Sequence, residues 1–365
     1  MKPAPPKPEG AFRILTINPG STSTKMAVYD NERLIADATI RHSREELDYY
    51  PTITAQKELR RRTIIEHMKK SGVAITSLDA IAGRGGLLKA IVGGTYQINE
   101  RMLEDLNGAA ASIHASALGA IIAADIAQSL NIPAYVVDPI VVDEQDQYAK
   151  LSGMPGIERV SIFHALNQKA IARRCAEQIG KPYENLRLIV AHLGGGITVG
   201  AHYYGRVVDV NDALSGEGPF TPERCGAVPA VPLIRLCFSG EYSEQELIDK
   251  ITKTGGMHAY LGTNDLKAVE RMIMEGDEFA ALVLGSMAYQ VAKEIGAMSA
   301  VLDGRVDAIA LTGGMAYSNR FTGAIKGRVD AIAPVYVYPG EDEMLALVSG
   351  ALRVLRGQDA VGEYI

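Results

Sequence analysis

Ile14-Leu-Thr-Ile-Asn18-Pro-Gly20-Ser21-Thr-Ser23-Thr-Lys25-Met-Ala-Val-Tyr29 and Leu188-Ile-Val-Ala-His192-Leu-Gly194-Gly195-Gly196-Ile-Thr198-Val-Gly-Ala-His-Tyr203 follow one plan. Each is an apolar run, a Gly-containing turn with small hydroxyl residues nearby, a second run and then a turn, Asp30-Asn31 or Tyr204-Gly205, into a third. Apolar runs punctuated by such turns read as strands, so each stretch opens a three-stranded meander. A tight Gly turn presents backbone N–H groups that a phosphate can approach closely, because no side chain keeps it out. Two such hairpins in matching positions imply a duplicated domain that grips the two ends of a polyphosphate.

Working outward, both halves repeat one order. In the first, Leu34 to Ile40 reads as the third strand, Thr54 to Lys70 as a helix ended by Gly72, and Asp79 to Gly83 as a short strand before a Gly-rich loop, Arg84 to Gly94. Helical stretches at Glu100 to Leu106 and Ser112 to Leu130 then precede a strand from Ala134 that ends at Asp138 and Pro139. In the second half a helix from Phe163 to Ile179 leads into the Leu188 hairpin and the strand Arg206 to Val210. Ser243-Glu-Gln-Glu246 is a capping box for a helix through Thr252. A long helix, Glu278 to Leu302, precedes the strand Ala308 to Leu311, a turn at Thr312-Gly313-Gly314-Met315, the strand Val335 to Tyr338 and a last helix, Asp342 to Leu355. The fold class is therefore α/β, with two duplicated domains of mixed sheet and flanking helices. The expected domains are 11–139 plus 341–365, with the last helix returning to the first domain, and 140–340.

Composition bounds the function. With 365 residues and 47% apolar content, each half has enough chain for its own core. The net charge of -6 argues against sequence-independent nucleic-acid binding, which needs a basic surface. Three cysteines without a C-x-x-C pair argue against a disulfide framework or structural zinc and suit a reducing cytoplasm. Met1 to Gly10 is a proline-rich polar leader, expected to be disordered and unlike an apolar signal segment. No apolar run reaches membrane-spanning length; the stretch Ala115 to Ile126 is broken by Gly119 and Asp125.

The common nucleotide signatures are missing: there is no G-x-x-x-x-G-K-[ST], and Gly83-Arg-Gly85-Gly-Leu-Leu88 lacks the last glycine of G-x-G-x-x-G. Alternate strand residues share a face, so Ser21, Ser23 and Lys25 are expected to project together, with Asn18 at the mouth of the hairpin. An exposed edge hairpin explains any one of them; the string together suits a phosphate or hydrated magnesium. Arg84 sits among Gly83, Gly85 and Gly86, and Arg224 in Gly216-Glu-Gly218-Pro-Phe-Thr-Pro-Glu-Arg224-Cys-Gly226. Arginine held in such loops suits bidentate contact with carboxylate or phosphate, the plainer account being a loop salt bridge. His164, opening a helix, is placed to donate to a phosphoryl oxygen, or else is a satisfied buried histidine. His42, His67, His114, His202 and His258 read as surface or packing residues. Asp138 closes an apolar strand, where α/β sheets present catalytic groups and where turn aspartates are also common. Glu341-Asp342-Glu343 opens the final helix, at the positive end of its dipole.

These residues resemble the acetate and butyrate kinase family, within the actin, hexokinase and Hsp70 superfamily of duplicated, ribonuclease H-like ATP-binding folds. Asn18 to Lys25 is similar to the family's N-x-G-S-[ST]-[ST]-x-K signature, and His192 to Arg224 resembles its second. The resemblance implies that ATP and magnesium are bound. Asn18 and Asp138 would assist the metal and the transferring phosphoryl group, with Ser21, Ser23 and Lys25 beside them. Arg84 and Arg224 would hold the acyl carboxylate, and His164 would contact the γ-phosphate. His192 and Gly194, Gly195 and Gly196 would line the ATP phosphates. Gly313, Gly314, Met315 and Ala316 would border the adenosine. Glu343, or Asp342 in an alternative register, would stand near magnesium.

Departures from the acetate kinase pattern resemble the butyrate kinase branch. Gly195 stands where acetate kinases carry Asn, and a G-I-G-E-N run is replaced near Gly314 to Ser318. Gly86 and Ser215 stand where Val and Pro line the acetate methyl pocket, which implies room for a longer acyl chain with Phe163 as a wall. The implied reaction is reversible transfer of the ATP γ-phosphoryl group to a short-chain carboxylate, in a homo-oligomer with no nucleic-acid or membrane partner. Rival readings are an acetate or propionate kinase, an actin- or Hsp70-like ATPase switch, and a non-enzymatic ATP-binding subunit.

Overall fold

The computed structural model describes residues 5–108 and 115–365. His114 and Ser112 lie outside the described residues. The chain forms two compact units, one running to Val142 and including Asp342–Ile365, the other Asp143–Glu341.

In the first unit, β1 (Arg13–Pro19), β2 (Ser23–Asp30) and β3 (Arg33–Arg41) form the antiparallel meander. β4 (Ala80–Gly83) runs parallel beside β1, and β6 (Ala134–Val137) parallel beside β4. The three-residue β5 (Thr95–Gln97) closes the edge antiparallel to β6, giving the order β3-β2-β1-β4-β6-β5. β5 lies just beyond the expected Gly-rich loop and is too short to show a period in the sequence.

The second unit repeats the design. β7 (Arg187–Leu193), β8 (Ile197–Tyr203) and β9 (Arg206–Val210) make the meander, with β10 (Ala308–Gly313) and β11 (Val335–Pro339) parallel on the other side of β7. Read from the meander edge, its order β9-β8-β7-β10-β11 matches that of the first unit without the extra edge strand. The fold is a pair of duplicated ribonuclease H-like units, each a mixed sheet flanked by helices.

Alternation along each central strand explains the layers. Leu188 and Val190 of β7 pack on Ile171, Ala172 and Cys175 of the helix Ala165–Ile179, while Ile189, Ala191 and Leu193 face Met287, Val291 and Ile295 of the helix Glu278–Val301. Leu15 and Ile17 of β1 face Ile64 and Met68 of the helix Lys57–Lys70 and Ile122 and Ile126 of the helix Ala117–Leu130. Full burial of each such side chain contributes about 1.5–3 kcal/mol before entropy is counted. The helix Glu343–Leu355 packs on β1, β4 and β6, so the chain's last helix completes its first unit.

The capping box at Ser243 and Glu246 is formed as the sequence implies. Helices Ala230–Cys237, Leu266–Met274 and Asn319–Val329 have no counterpart in the sequence reading. Within the leader expected to be disordered, Lys7 pairs with Asp79 at 2.8 Å and the Pro5 carbonyl accepts from Arg13 at 3.1 Å, so the part from Pro5 onward is tied to the first unit.

Candidate functional site

In the first unit a cleft of about 300 Å³ opens at the end of the β1–β2 hairpin, lined by Asn18, Pro19, Gly20, Ser23, Lys25, Arg84, Ser116 and Glu343. The β1–β2 register sets Asn18 opposite Lys25. Arg84 directly follows β4, and its backbone N–H donates to the Ile17 carbonyl at 2.9 Å, which fixes the start of its side chain. Its guanidinium forms an ion pair with Glu343 Oε1, and Asn18 Nδ2 donates to Glu343 Oε2 at 2.5 Å. Five residues singled out in the sequence, Asn18, Ser23, Lys25, Arg84 and Glu343, thus share one cleft.

Ser21 does not join them. It lies in the turn before β2, exposed, where strand alternation does not apply, so the expected common face holds only for Ser23 and Lys25. The acidic run divides three ways. Asp342 caps the last helix by accepting from Leu345 N–H at 3.1 Å, Glu343 faces the cleft, and Glu341 reaches His192 in the second unit. Asp138 is buried at the end of β6 with φ 36°, a left-handed backbone that costs a non-glycine residue free energy. Its N–H donates to the Gly94 carbonyl at 2.9 Å, and its Oδ1 accepts from Gly94 N–H at 2.7 Å. A Cβ at Gly86 would lie 2.8 Å from Ala117, so helix packing uses the space that a side chain would fill.

In the second unit the site forms around the Gly194–Gly196 turn. The rings of His164 and His192 stack with centroids 3.8 Å apart and planes 10° apart. His192 Nε2 is 3.1 Å from Glu341 Oε1, and its Nδ1 is 2.8 Å from Asn167 Oδ1. The Arg224 guanidinium lies so close to Gly196 that any Cβ there would collide with it. Thr221 donates to the Gly195 carbonyl at 2.6 Å and accepts from Arg224 N–H at 3.0 Å, linking the turn to the loop that carries the arginine. Arg224 Nη1 donates to the Ala213 carbonyl at 2.6 Å, while its Nε is buried with no partner among the described residues. Burial lowers its pKa from the usual arginine value, against the opposing pull of Glu223 and Asp212. A cation with a spare buried donor is suited to an anion.

His164 opens the helix Ala165–Ile179, and its Nδ1 is 3.0 Å from Thr198 Oγ1. Behind it runs a buried chain. Gln168 Nε2 donates to Thr198 Oγ1 at 2.8 Å, Gln168 Oε1 is 3.0 Å from His202 Nε2, and His202 Nδ1 is 2.8 Å from the Tyr183 hydroxyl. An amide oxygen only accepts, so His202 carries its proton on Nε2 and its Nδ1 accepts a hydrogen bond from the Tyr183 hydroxyl. Burial, together with Lys169 and Arg173, pushes its pKa well down and keeps it neutral.

Gly313 has φ +94°, and a Cβ there would run into the Leu193 backbone, so this turn requires glycine. Gly314 is exposed, whereas Met315 and Ala316 are buried, Met315 within the core of the second unit. Phe163 is buried and Ser215 exposed, both in the second unit, whereas Gly86 belongs to the first. The sequence reading passed over Arg60, Asn167, Gln168 and Thr221. Each makes at least one contact distant in the chain, which leaves no local signature in the sequence.

Magnesium prefers oxygen ligands and keeps several waters, so it is usually bound through one or two protein oxygens plus substrate phosphates. Among the described residues no group of three or more His, Cys, Asp or Glu is placed to hold a metal. The carboxylate of Glu343 and the amide of Asn18, both at the cleft, fit a site of the magnesium kind.

Fold and site together define a duplicated ribonuclease H-like protein with a Gly turn and a nearby arginine in each copy. Residues 148–323 match the model of the Acetokinase family. The match falls within the second unit; the Asn18 to Lys25 stretch lies outside it. Acetate kinase from Porphyromonas gingivalis is similar in structure, with TM-score 0.78 at 19% identity over 94% of this chain and 100% of that one. A propionate kinase from Francisella tularensis subsp. tularensis gives 0.73 at 18%, covering 93% and 98%. Acetate kinase from Entamoeba histolytica gives 0.77 at 16%, covering 94% and 100%. At these identities the likeness is one of fold. Among the described residues no helix is long and apolar enough to cross a membrane.

Proposed function

We propose that this protein is a short-chain fatty acid kinase that reversibly transfers the γ-phosphoryl group of ATP to a carboxylate, with butyrate as the preferred acid. The observation that carries the reading is the first-unit cleft, where an amide, a hydroxyl, an ammonium group, a guanidinium and a carboxylate converge beside a Gly turn. The family match over 148–323 supports the same chemistry.

A fatty acid is already ionised at neutral pH, its pKa being about 4 to 5, so no strong base is needed. The difficulty is bringing an anion to a polyanion. In this reading Arg84 and Arg224 orient the carboxylate and neutralise charge, Lys25 and His164 donate to phosphoryl oxygens, and Asp138 assists the transferring group. Gly194–Gly196 and His192 hold the ATP phosphates, with the Gly313–Gly314 turn at the adenosine. Asn18 and Glu343 would hold magnesium, which supplies charge neutralisation and a template for the phosphates. The reading places the protein in a reducing cytoplasm on the sequence's three cysteines, which lack a C-x-x-C pair.

Butyrate as the acid rests on Gly195 and Ser215 and on the sequence departures near Gly314. The similar acetate and propionate kinase structures favour a second reading with a shorter acid. Coupled assays with acetate, propionate, butyrate, isobutyrate and valerate at one enzyme concentration separate the two. One methylene is worth about 1 kcal/mol, so neighbouring acids should differ only several-fold. A large preference for acetate replaces the butyrate reading with the second. ADP release that no acid stimulates removes both and leaves an ATPase switch.

A further inference from the structure

Arg60 lies in the helix Lys57–Lys70 with its side chain completely buried. Buried arginines ordinarily face a carboxylate, as Arg13 faces Asp30 in the same unit. Arg60 does not. Its Nη1 donates to the carbonyls of Gly20 at 2.9 Å and Ser23 at 2.8 Å and to Thr24 Oγ1 at 3.0 Å. Its Nη2 donates to the Ser21 carbonyl at 2.9 Å and to Gln56 Oε1, which also accepts from Nε. Every acceptor is neutral. Desolvation lowers the guanidinium pKa to about 10, still far above neutral pH, so the buried charge persists.

The carbonyl of one residue and the N–H of the next belong to a single trans peptide and point in opposite directions. Drawing the Gly20 and Ser21 carbonyls onto Arg60 therefore turns the N–H groups of Ser21 and Thr22 away from it. Neither N–H has a hydrogen-bond partner among the described residues. The turn is thus a set of outward-facing donors backed by an uncompensated positive charge.

We propose that Arg60 is a positioning residue that shapes and electrostatically primes the Gly20–Ser23 turn to bind a phosphate-type anion through the Ser21 and Thr22 N–H groups. The assignment rests on reading this turn as the seat of a phosphoryl group. An anion there supplies the counter-charge that Arg60 lacks inside the protein. Ser21, exposed and outside the strand face, contributes through its backbone rather than its hydroxyl.

The test uses the full chain with inorganic phosphate as probe. Amide ¹⁵N–¹H signals of Ser21 and Thr22 should shift saturably with phosphate and not with chloride at equal ionic strength. Among variants that melt cooperatively, Arg60→Gln should weaken phosphate binding about tenfold or more while changing butyrate binding less than twofold, and Arg60→Lys should recover part of the loss. A folded Arg60→Gln with unaltered phosphate affinity overturns the proposal, as does wild-type protein in which neither amide responds. If the glutamine variant does not fold, the wild-type titration decides alone. Phosphate-responsive amides in a protein that no acid stimulates would defeat the kinase reading and leave this one standing.

Discussion

Arg84 and Glu343 form an ion pair although 259 residues separate them, and Asn18 holds the second oxygen of the same carboxylate. The pair joins the loop after β4 to the first turn of the final helix, within one unit. That pairing ties the Arg84 side chain to the wall of the cleft that both residues line.

Arg84→Ala should lower the rate of acyl phosphate formation by about 10²–10³, the scale for losing a preorganised charge that acts on the transition state. Arg84 is partly exposed, so thermal melting should move little. Arg224→Ala should act similarly on rate. Hydroxylamine trapping of the acyl phosphate measures both, and near-normal turnover removes that residue from the chemistry.

Glu343→Gln keeps the shape and the Asn18 contact but removes the charge. The magnesium concentration for half-maximal activity should rise about 10- to 100-fold, and chelation should abolish activity in the parent protein. An unaltered magnesium requirement would show that Glu343 serves only to anchor Arg84.

In the second unit Lys169 and Glu144 form a buried pair at 2.8 Å, and Glu144 also accepts from Val207 N–H at 2.8 Å. Lys169→Met leaves that carboxylate buried without its cation and should cost about 3–5 kcal/mol in urea unfolding. Adding Glu144→Leu should restore much of the loss. Equal stability of the single variant and the parent would refute this account.

His202 has its pKa depressed in the folded state by burial and by Lys169 and Arg173, so unfolded chains bind more protons at low pH. Its contribution is complete above the unfolded pKa of about 6.5 and is lost as pH falls, with a slope of up to about 1.4 kcal/mol per pH unit. His42, depressed by burial and by Arg60, acts in the same direction in the first unit. Urea midpoints at pH 7.5, 6.0 and 5.0 should therefore decline, and His202→Gln should flatten the decline. An unchanged slope in that variant would exclude His202 as the source.

Much of the fold is legible because its signals are local. The strand runs at 14–29 and 188–203, the Gly turns and the capping box at Ser243 each lie within a short window of sequence. Asn18, Ser23 and Lys25 are legible for the same reason, as positions within eight residues of one another on a single hairpin. Other features have no such window. β5 is three residues long, and the helix Asn319–Val329 directly follows the turn at 313–318 with no sequence signal of its own. The acidic run at 341–343 could be read in more than one register until the helix began at Glu343, making Asp342 its cap and Glu343 a member of the cleft.

By itself, then, the sequence determined the duplicated α/β plan, the two glycine-containing hairpin turns and the small set of polar residues beside them. Periodicity, glycine conformation and hydroxyl chemistry are properties of neighbouring residues. Tertiary structure alone decided that Arg60 supports the first turn from 36 to 40 residues away, that Gln168 and His202 stand behind His164, and that Glu343 meets Arg84. Burial of a charge or the fixing of a tautomer depends on which distant atoms close around it, and only the packed chain specifies those.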